Sequence, residues 1–504
     1  MGKHSAPNLR VPLVPSINGD TANFSGGQYD TQIVVNAVHD TTSNEKSGEK
    51  TTYLQRRPGW NTSQSSYGTT TKVPWLMFRR PSDAGASWMA AYDTGGAQVV
   101  TDGTTNTTLF TDTNYAPNFV TVANLAGSAK AVIQCRKDFS TAQRVFYGSA
   151  IGAWTEITDA VFTALVHRGK MEFLDAHMFV LASDRNIYNC KVNDIATWPA
   201  GNLIPKSIKL DIPSGLILHK NVLLAMGNES AEGFQTDGSN NPSGSVLSRI
   251  KQLTANIGLA QNCGNGNVTA SGLGSYYATV GEFTFFLGNE RSSRLSAALY
   301  AFNGSSFEKV ASNDFIAKLF SNGTPAYNLV PFCWHGRRGV AFQMTQPSLS
   351  GTQRWWVFDV DWKQWYMFES SEFMPINDGE NFAGASNSRD ELMQPSRTSF
   401  ADGLSGATVY DSYVQFELPN DTGERKRMAW YGVLGETAQG TSTTEVLFSD
   451  NDAYTTYTSR GTIDMQSAFK RLYRGGSFTR RMVRLKHSTD REWKIREFQA
   501  RITG

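Results

Sequence analysis

RWWVFDVDWKQWYMF, residues 354–368, is an aromatic-led run, a tight polar turn and a second run led by Trp365. Alternating aromatic and β-branched residues on both sides of a short turn read as two antiparallel strands. The same style recurs upstream in RVFYGSAIGAWTEI from Arg144, NIYNCKVNDIATW from Asn186 and AALYAFNGSSFEKV from Ala297. Trp154, Trp198 and Phe307 stand there where Trp365 stands here. Several of these hairpins follow a further apolar run: SWMAAYDTGG, AKAVIQCRKD, HMFVLASDRN, KNVLLAMGNE, EFTFFLGNE, RGVAFQMTQ and ATVYDSYVQF. Centred on Ala91, Val132, Phe179, Leu223, Phe285, Ala341 and Val409, they are spaced 41, 47, 44, 62, 56 and 68 residues apart. A four-stranded sheet repeated at that interval is the pattern of a β-propeller, and six or seven blades fit the count. One blade has two apolar faces and must stack on neighbours to bury both, with the large aromatics filling the wedge between blades. A set of antiparallel sandwiches, whose turns also recur regularly, is the alternative.

Composition agrees with an all-β chain. Of 504 residues, 47 are Lys or Arg and 45 Asp or Glu, a net charge of +2 with 18% charged, which excludes a disordered polyelectrolyte or a histone-like protein. The hydrophobic share is 40%, the aromatic share 12%, and 45 glycines accompany many Ser, Thr and Asn, a mixture of strands and turns. No run of 18 apolar residues exists, so no spanning helix and no membrane anchor are expected. The opening MGKHSAPNLRVPLVPS lacks the apolar core of a signal peptide, and Ala6 stands where a myristoylation signal needs Ser or Thr. Cys135, Cys190, Cys263 and Cys333 are too far apart for metal spacing and too few for a disulfide scaffold, so buried reduced thiols and folding in a cytoplasm are expected. No phosphate-cradling loop, no nucleophile elbow and no paired histidines occur. Asp359 and Asp361 read as turn acids. No catalytic, metal or cofactor residue is assigned, and an enzyme is not expected.

Organisation along the chain divides into an arm and first strand over 1–60, a propeller body over 61–420, and a basic β-rich region over 421–504 that closes the propeller or forms an interface. A loop insertion near 230–275 is rich in Gly, Asn and Ser, and makes Gly233, Gly238, Gly244, Gly264 and Gly266 the candidate gate or mobile loop. ASNDFIAKLFSNG predicts a short helix with a Ser312 or Asn313 cap and a stop at Asn322-Gly323. Residues 460–504 carry 12 Lys or Arg against 4 Asp or Glu, a net of +8, leaving a net of −6 for the rest. SFTRRMVRLKH reads as one strand with Phe478, Arg480, Met482, Arg484 and Lys486 on one face and Arg481, Val483, Leu485 and His487 on the other. Arg480, Arg484 and Lys486 are the candidate partner interface, suited to phosphates or an acidic partner.

Several motifs in order resemble the tail nozzle or hub proteins of short-tailed bacteriophages, the packaged-DNA stabilisation family. DTQIVVNAVHD (30–40) and YLQRRPGW (53–60) look like the family's opening. GLGSYYATVGEFTFFLGNE (272–290) followed by LYAFNGSSFEKVASNDFIAKLF (299–320), and then the hairpin from Arg354, are similar to its middle. EVLFSDNDAYTTYTSRGTIDM (445–465) and the stretch 471–504 resemble its close. The resemblance implies a structural virion protein assembled in the host cytoplasm, a homohexamer below the tail adaptor protein of the portal complex. Such a ring continues the DNA exit channel, retains packaged DNA, opens for ejection with transient contact to passing double-stranded DNA, and offers attachment surface to tail fibres or spikes. SDNDAYTTY also resembles the Asp-box turn of sialidase-type propellers, with Ala453 in place of the glycine and no Trp. Ser449, Asp450 and Asp452 are expected there to stabilise a turn. A receptor- or glycan-binding propeller, or a propeller glycosidase, is therefore the alternative.

Overall fold

A computed structural model describes residues 8–503 outside 14–32, 44–49, 58, 65–75, 84–86, 95, 113, 138–140, 237–243, 261–274, 291–296, 311–328, 335–336, 344–352, 371–373, 378–381, 386–391, 396–408, 419–422, 437–441, 451–455, 467–468 and 490. Runs such as WMAAYD and FTFFLG are apolar at successive positions because each is an inner strand covered on both faces by neighbouring sheets. Blades 1 to 6 span 76–110, 116–156, 167–205, 213–255, 257–309 and 329–370, each an antiparallel meander. Blade 7 consists of Met374–Asn377, Phe382–Ala385 and Leu392–Pro395, completed by Trp60–Gln64 from far upstream. The first strand of each blade lies beside the first strand of the next, and that of blade 7 lies beside those of blades 6 and 1. The ring therefore closes at seven blades.

Cores sit between blades. Leu76, Met89, Val100, Ile133 and Phe146 fill the space between blades 1 and 2, and Val132, Val145, Met178 and Val180 that between blades 2 and 3. Trp154 of blade 2 meets Phe78 of blade 1 edge-on at 6.4 Å, as a wedge residue should. Trp365 packs on Phe342 and Phe358 of its own blade, and Phe358 reaches Phe285 of blade 5. Trp198 lies before the fourth strand of its blade rather than on it, against Phe162 of the preceding connection.

A β-sandwich is joined to the propeller. Ile33–Val35 pairs in parallel with the outer strand of blade 6 through Val35 and Met367, and antiparallel with Ser412–Glu417. The sheet continues through Met482–His487, Thr443–Ser449 and Thr458–Asp464. A second sheet orders Ala37–Ser43, Lys50–Arg56, Lys494–Thr503, Lys426–Gly435 and Phe469–Phe478, with Asn8–Pro12 also on Lys494–Thr503. Between the sheets, Phe416 packs on Phe498 at 5.4 Å and Tyr431 on Phe448 at 5.0 Å, among Val414, Val446, Val483, Leu485 and Ile495. Residues near both ends of the described chain thus build one sandwich, whereas Trp60–Gln64 belongs to the propeller.

Three readings are corrected. The seventh repeat centre, Val409, is exposed and outside any strand, because ATVYDSYVQF leads into the sandwich strand Ser412–Glu417. SFTRRMVRLKH is two strands rather than one: the first ends at Phe478 and the second begins at Met482, so Phe478 turns inward to the core. The stretch near 230–275 is no single loop, since Leu247–Ala255 and Ile257–Leu259 are strands with Leu247, Leu253 and Leu259 buried. The predicted helix over 312–323 lies outside the described residues. Among the described residues no helix is long and apolar enough to cross a membrane.

Candidate functional site

The strand Met482–His487 alternates as predicted, with Val483 and Leu485 fully buried, but its cations are engaged within the chain. Arg480 donates to Glu417 at 3.0 Å and Lys486 lies 2.7 Å from Asp411. Arg484 donates to Gln415 Oε1 from Nε and Nη2 at 3.2 and 2.8 Å, with its guanidinium over the rings of Tyr413 and Tyr457. Pairing with Ser412–Glu417 explains this, since that strand and the residue before it supply Asp411, Gln415 and Glu417. Arg481, read as one more cation of the strand, is the most buried of them. It forms a bidentate pair with Asp450 at 2.6 and 2.7 Å, donates to Gly475 O and lies 4.4 Å from the ring centroids of Phe448 and Phe478. Asp450 therefore anchors an arginine instead of a turn. Asp359 does hold a turn, accepting from the N–H groups of Asp361 and Trp362, while Asp361 pairs with Arg338 at 2.7 Å.

Of the candidate gate glycines, Gly233 sits inside the strand Ala231–Thr236, where the Leu253 side chain fills the place of a Cβ. Gly244 has φ +82, and Gly201 O lies where a Cβ would stand. Gly238, Gly264 and Gly266 lie outside the described residues.

A polar cluster at the inner strands went unread in the sequence. The first strand of blade 3 bulges between Arg168 and Glu172, with Gly169 at φ +74. Tyr276, brought in by blade 5, donates to Leu216 O at 2.5 Å and accepts from Lys170 N–H at 3.1 Å. Its hydroxyl occupies the place a Cβ would take on Gly169 or Gly215. Lys170 Nζ is 5.2 Å from the Tyr277 ring centroid and 3.7 Å from Glu172 Oε1. Burial pushes the Glu172 carboxyl up to about 7 despite Lys170 beside it, and pushes both tyrosines well above their ordinary range. A carboxyl titrating near neutrality is the usual mark of acid–base chemistry. Here only 2% of Glu172 is exposed, so substrate does not reach it. Burial likewise holds His167, packed against Phe162, down to about 3. Cys135 and Cys190 are buried free thiols pushed upward by burial, Cys190 to about 12.

Two further places join parts of the molecule. Arg56 donates to Tyr410 O at 2.8 Å and to Thr489 O. Arg57 donates to Asn36 Oδ1 at 3.0 Å and lies over Phe368 and Tyr410, so the Arg-Arg pair of YLQRRPGW ties blade 6 to the sandwich. Between blades 3 and 4, Lys206 is buried against Asp211, Ser230 and Glu232, and Glu232 accepts from the N–H groups of Ser207 and Lys209. That frame holds Ile208, Leu210 and Ile212 out in solvent, 45%, 76% and 57% exposed.

No protein-family model and no curated protein matches the chain. Among solved structures, the chain is similar to BamB from Moraxella catarrhalis, at 11% identity and a TM-score of 0.33, over 68% of this chain and 98% of that one. BBS1N in complex with ARL6DN matches at 10% identity and 0.39, over 68% and 98%. An exo-β-1,3-galactanase from Phanerochaete chrysosporium matches at 9% and 0.30, over 76% and 95%. Likeness at this level assigns no activity. Among the described residues no group of three His, Cys, Asp or Glu is placed to hold a metal ion. The strand pairings themselves make the chain a seven-bladed β-propeller with a β-sandwich joined to the outer edge of blade 6.

Proposed function

We propose that the chain is a structural tail protein of a short-tailed bacteriophage, six copies forming a nozzle ring below the adaptor that continues the DNA exit channel and retains the genome. The observation that carries this reading is where the resembling motifs meet. The Arg-Arg pair, the hairpin of blade 6 and the strands around Phe448 and Leu485 come from opposite ends and the middle of the sequence. All of them lie at or beside the junction that makes propeller and sandwich continuous. A body welded there suits a part that must hold position against the pressure of a packed genome.

In this reading the duplex runs through the opening of the ring and not along the propeller axis. The Lys170–Tyr277 contact spans from blade 3 to blade 5, past blade 4, so side chains of non-adjacent blades meet where a duplex, with a major groove alone about 12 Å wide, would need a clear path. A gate made from inserted loops at the propeller mouth is then unnecessary. The apolar prong at Ile208, Leu210 and Ile212 is the surface this reading offers to a fibre or spike. Peptide mass spectrometry of purified virus particles tests the proposal. Half the copy number of the portal protein supports the six-fold ring, and absence of the chain from particles rules it out.

A further inference from the structure

Lys206 and Asp211 bracket the connection from Leu203–Pro205 of blade 3 to Pro213–His219 of blade 4. The Lys206 side chain is 0% exposed, and its Nζ stands 2.5 Å from Oδ1 of Asp211, which is 9% exposed. The carbon of that carboxyl lies one C–O bond further, at most about 3.7 Å from the nitrogen. Room for this approach comes from Gly227, because Cγ and both oxygens of Asp211 fill the space its Cβ would take. Each carboxyl oxygen has a fixed partner. Oδ2 accepts from Glu229 N–H at 2.9 Å, and Oδ1 accepts from Ser230 Oγ at 2.8 Å. The same Ser230 hydroxyl accepts from Lys206 Nζ at 2.9 Å, closing a ring of amine, hydroxyl and carboxyl. A second carboxylate, Glu232, is also 0% exposed and lies 3.9 Å from Nζ. The N–H groups of Ser207 and Lys209 hold it, with Arg249 Nε 3.4 Å away.

We propose that Lys206 and Asp211 condense to an isopeptide bond in the folded chain, with Ser230 relaying the proton and Glu232 stabilising the cationic nitrogen. An ammonium proton first passes from Nζ to Oδ1, leaving an amine and a carboxylic acid in a site where burial makes both charges costly. The Nζ lone pair attacks Cγ, and the C=O electron pair moves onto Oδ2, where Glu229 N–H holds the oxyanion. Nζ is now cationic beside Glu232. It gives one proton to Ser230 Oγ, which hands its own to Oδ1. The Cγ–Oδ1 bond breaks, Oδ1 departs as water, and the carbonyl reforms on Oδ2. Three ammonium protons become one on the amide and two on the water, and nothing is oxidised or reduced. The product removes one buried charge of each sign and leaves Glu232 with Arg249. It also closes residues 206–211 into a covalent ring, fixing the loop that carries Ile208 and Leu210. The inference stands on this cluster alone and does not depend on the tail reading.

Intact-mass spectrometry of the denatured full chain tests it. The chain should be lighter than its sequence by the mass of one water. A tryptic digest should locate the loss, with no cut after Lys206, whose amine is acylated, and a cut after Lys209 that leaves the two pieces joined. Lys206→Met should keep its full sequence mass. Misfolding would give that variant the same result, so Glu232→Gln, which keeps the side-chain shape, is the companion. It should fold, which circular dichroism verifies, yet keep its full mass through an incubation in which the parent chain reacts completely. A parent chain of full mass after prolonged incubation near neutral pH would make the cluster an ordinary buried ion pair and overturn the proposal. So would a tryptic cut after Lys206 in the lighter chain, or a folded Glu232→Gln that loses water as fast as the parent.

Discussion

On one sheet of the sandwich, Arg480, Arg481, Arg484 and Lys486 all meet side chains of their own chain: Glu417, Asp450, Gln415 and Asp411. On the other sheet, Arg427, Arg474 and Arg501 face solvent with no such partner among the described residues. Both sets come from one basic region of the sequence. The difference lies in what the neighbouring strands carry. Ser412–Glu417 brings acceptors beside Met482–His487, whereas the outward row across Trp430 brings arginine and aromatics. A count of cations therefore measures charge, and pairing decides which of it is available.

The largest test of that contrast is Asp450→Ala. It leaves the Arg481 guanidinium, 1% exposed, without a carboxylate that is itself 37% exposed, and should cost about 3 kcal/mol of stability, the low end for a buried pair. Adding Arg481→Met should recover much of the loss, because a buried pair replaced by apolar volume is often neutral. A loss below about 1 kcal/mol for Asp450→Ala in chemical denaturation would place Arg481 among the dispensable cations.

Glu172 extends the contrast to a buried charge with a poor partner. Its folded pKa of about 7 lies above its ordinary 4.5. Stability from this group is therefore full below about 4.5, is lost as pH rises through about 7, and is absent above. Glu172→Gln should remove that loss, gaining on the order of 3 kcal/mol at pH 8 and little at pH 4. Paired pH melts of the two proteins check it, and parallel curves would mean that Lys170 already compensates the carboxylate. Arg484→Ala forfeits two hydrogen bonds to Gln415 and two ring contacts and should cost about 1 kcal/mol. Smallest of all, Arg427→Ser with Arg501→Ser should leave thermal stability within about 0.5 kcal/mol. A larger fall would show those arginines to be structural and would erase the contrast.

Much of the propeller was legible because its inner strands are long and apolar on both faces. Ala91, Val132, Phe179, Leu223, Phe285 and Ala341 each lie on the second strand of blades 1 to 6. Blade 7 left no such trace. FAGA and LMQP are four residues long, with a Gly or Pro that breaks alternation, and their partner WNTSQ lies more than three hundred residues upstream. The sandwich was hidden for a related reason, since its sheets interleave strands from both ends of the chain. Among site residues, the alternation of Val483 and Leu485 was readable, but the partners of Arg484 and Lys486 were not, because register across strands is a tertiary choice. Glu172 was invisible because its surroundings depend on a bulge and on Tyr276 from two blades away.

The weld at Arg56 also sets a clock. Its guanidinium donates to the carbonyl of a residue 433 positions further along the chain. At about 5–20 residues per second, a ribosome needs roughly 20 to 90 seconds to deliver that acceptor. Through much of that interval Trp60–Gln64 has no partner, since Leu392–Pro395 follows it by more than three hundred residues, and the paired strands Ala37–Ser43 and Lys50–Arg56 have no sheet to join. Blades 1 to 6 can form in order as they emerge, but the closing blade waits for Leu392–Pro395 and the sandwich for Lys494–Thr503. Premature release of the nascent chain would therefore leave open sheet edges at both unfinished places, exposed to pairing with other chains.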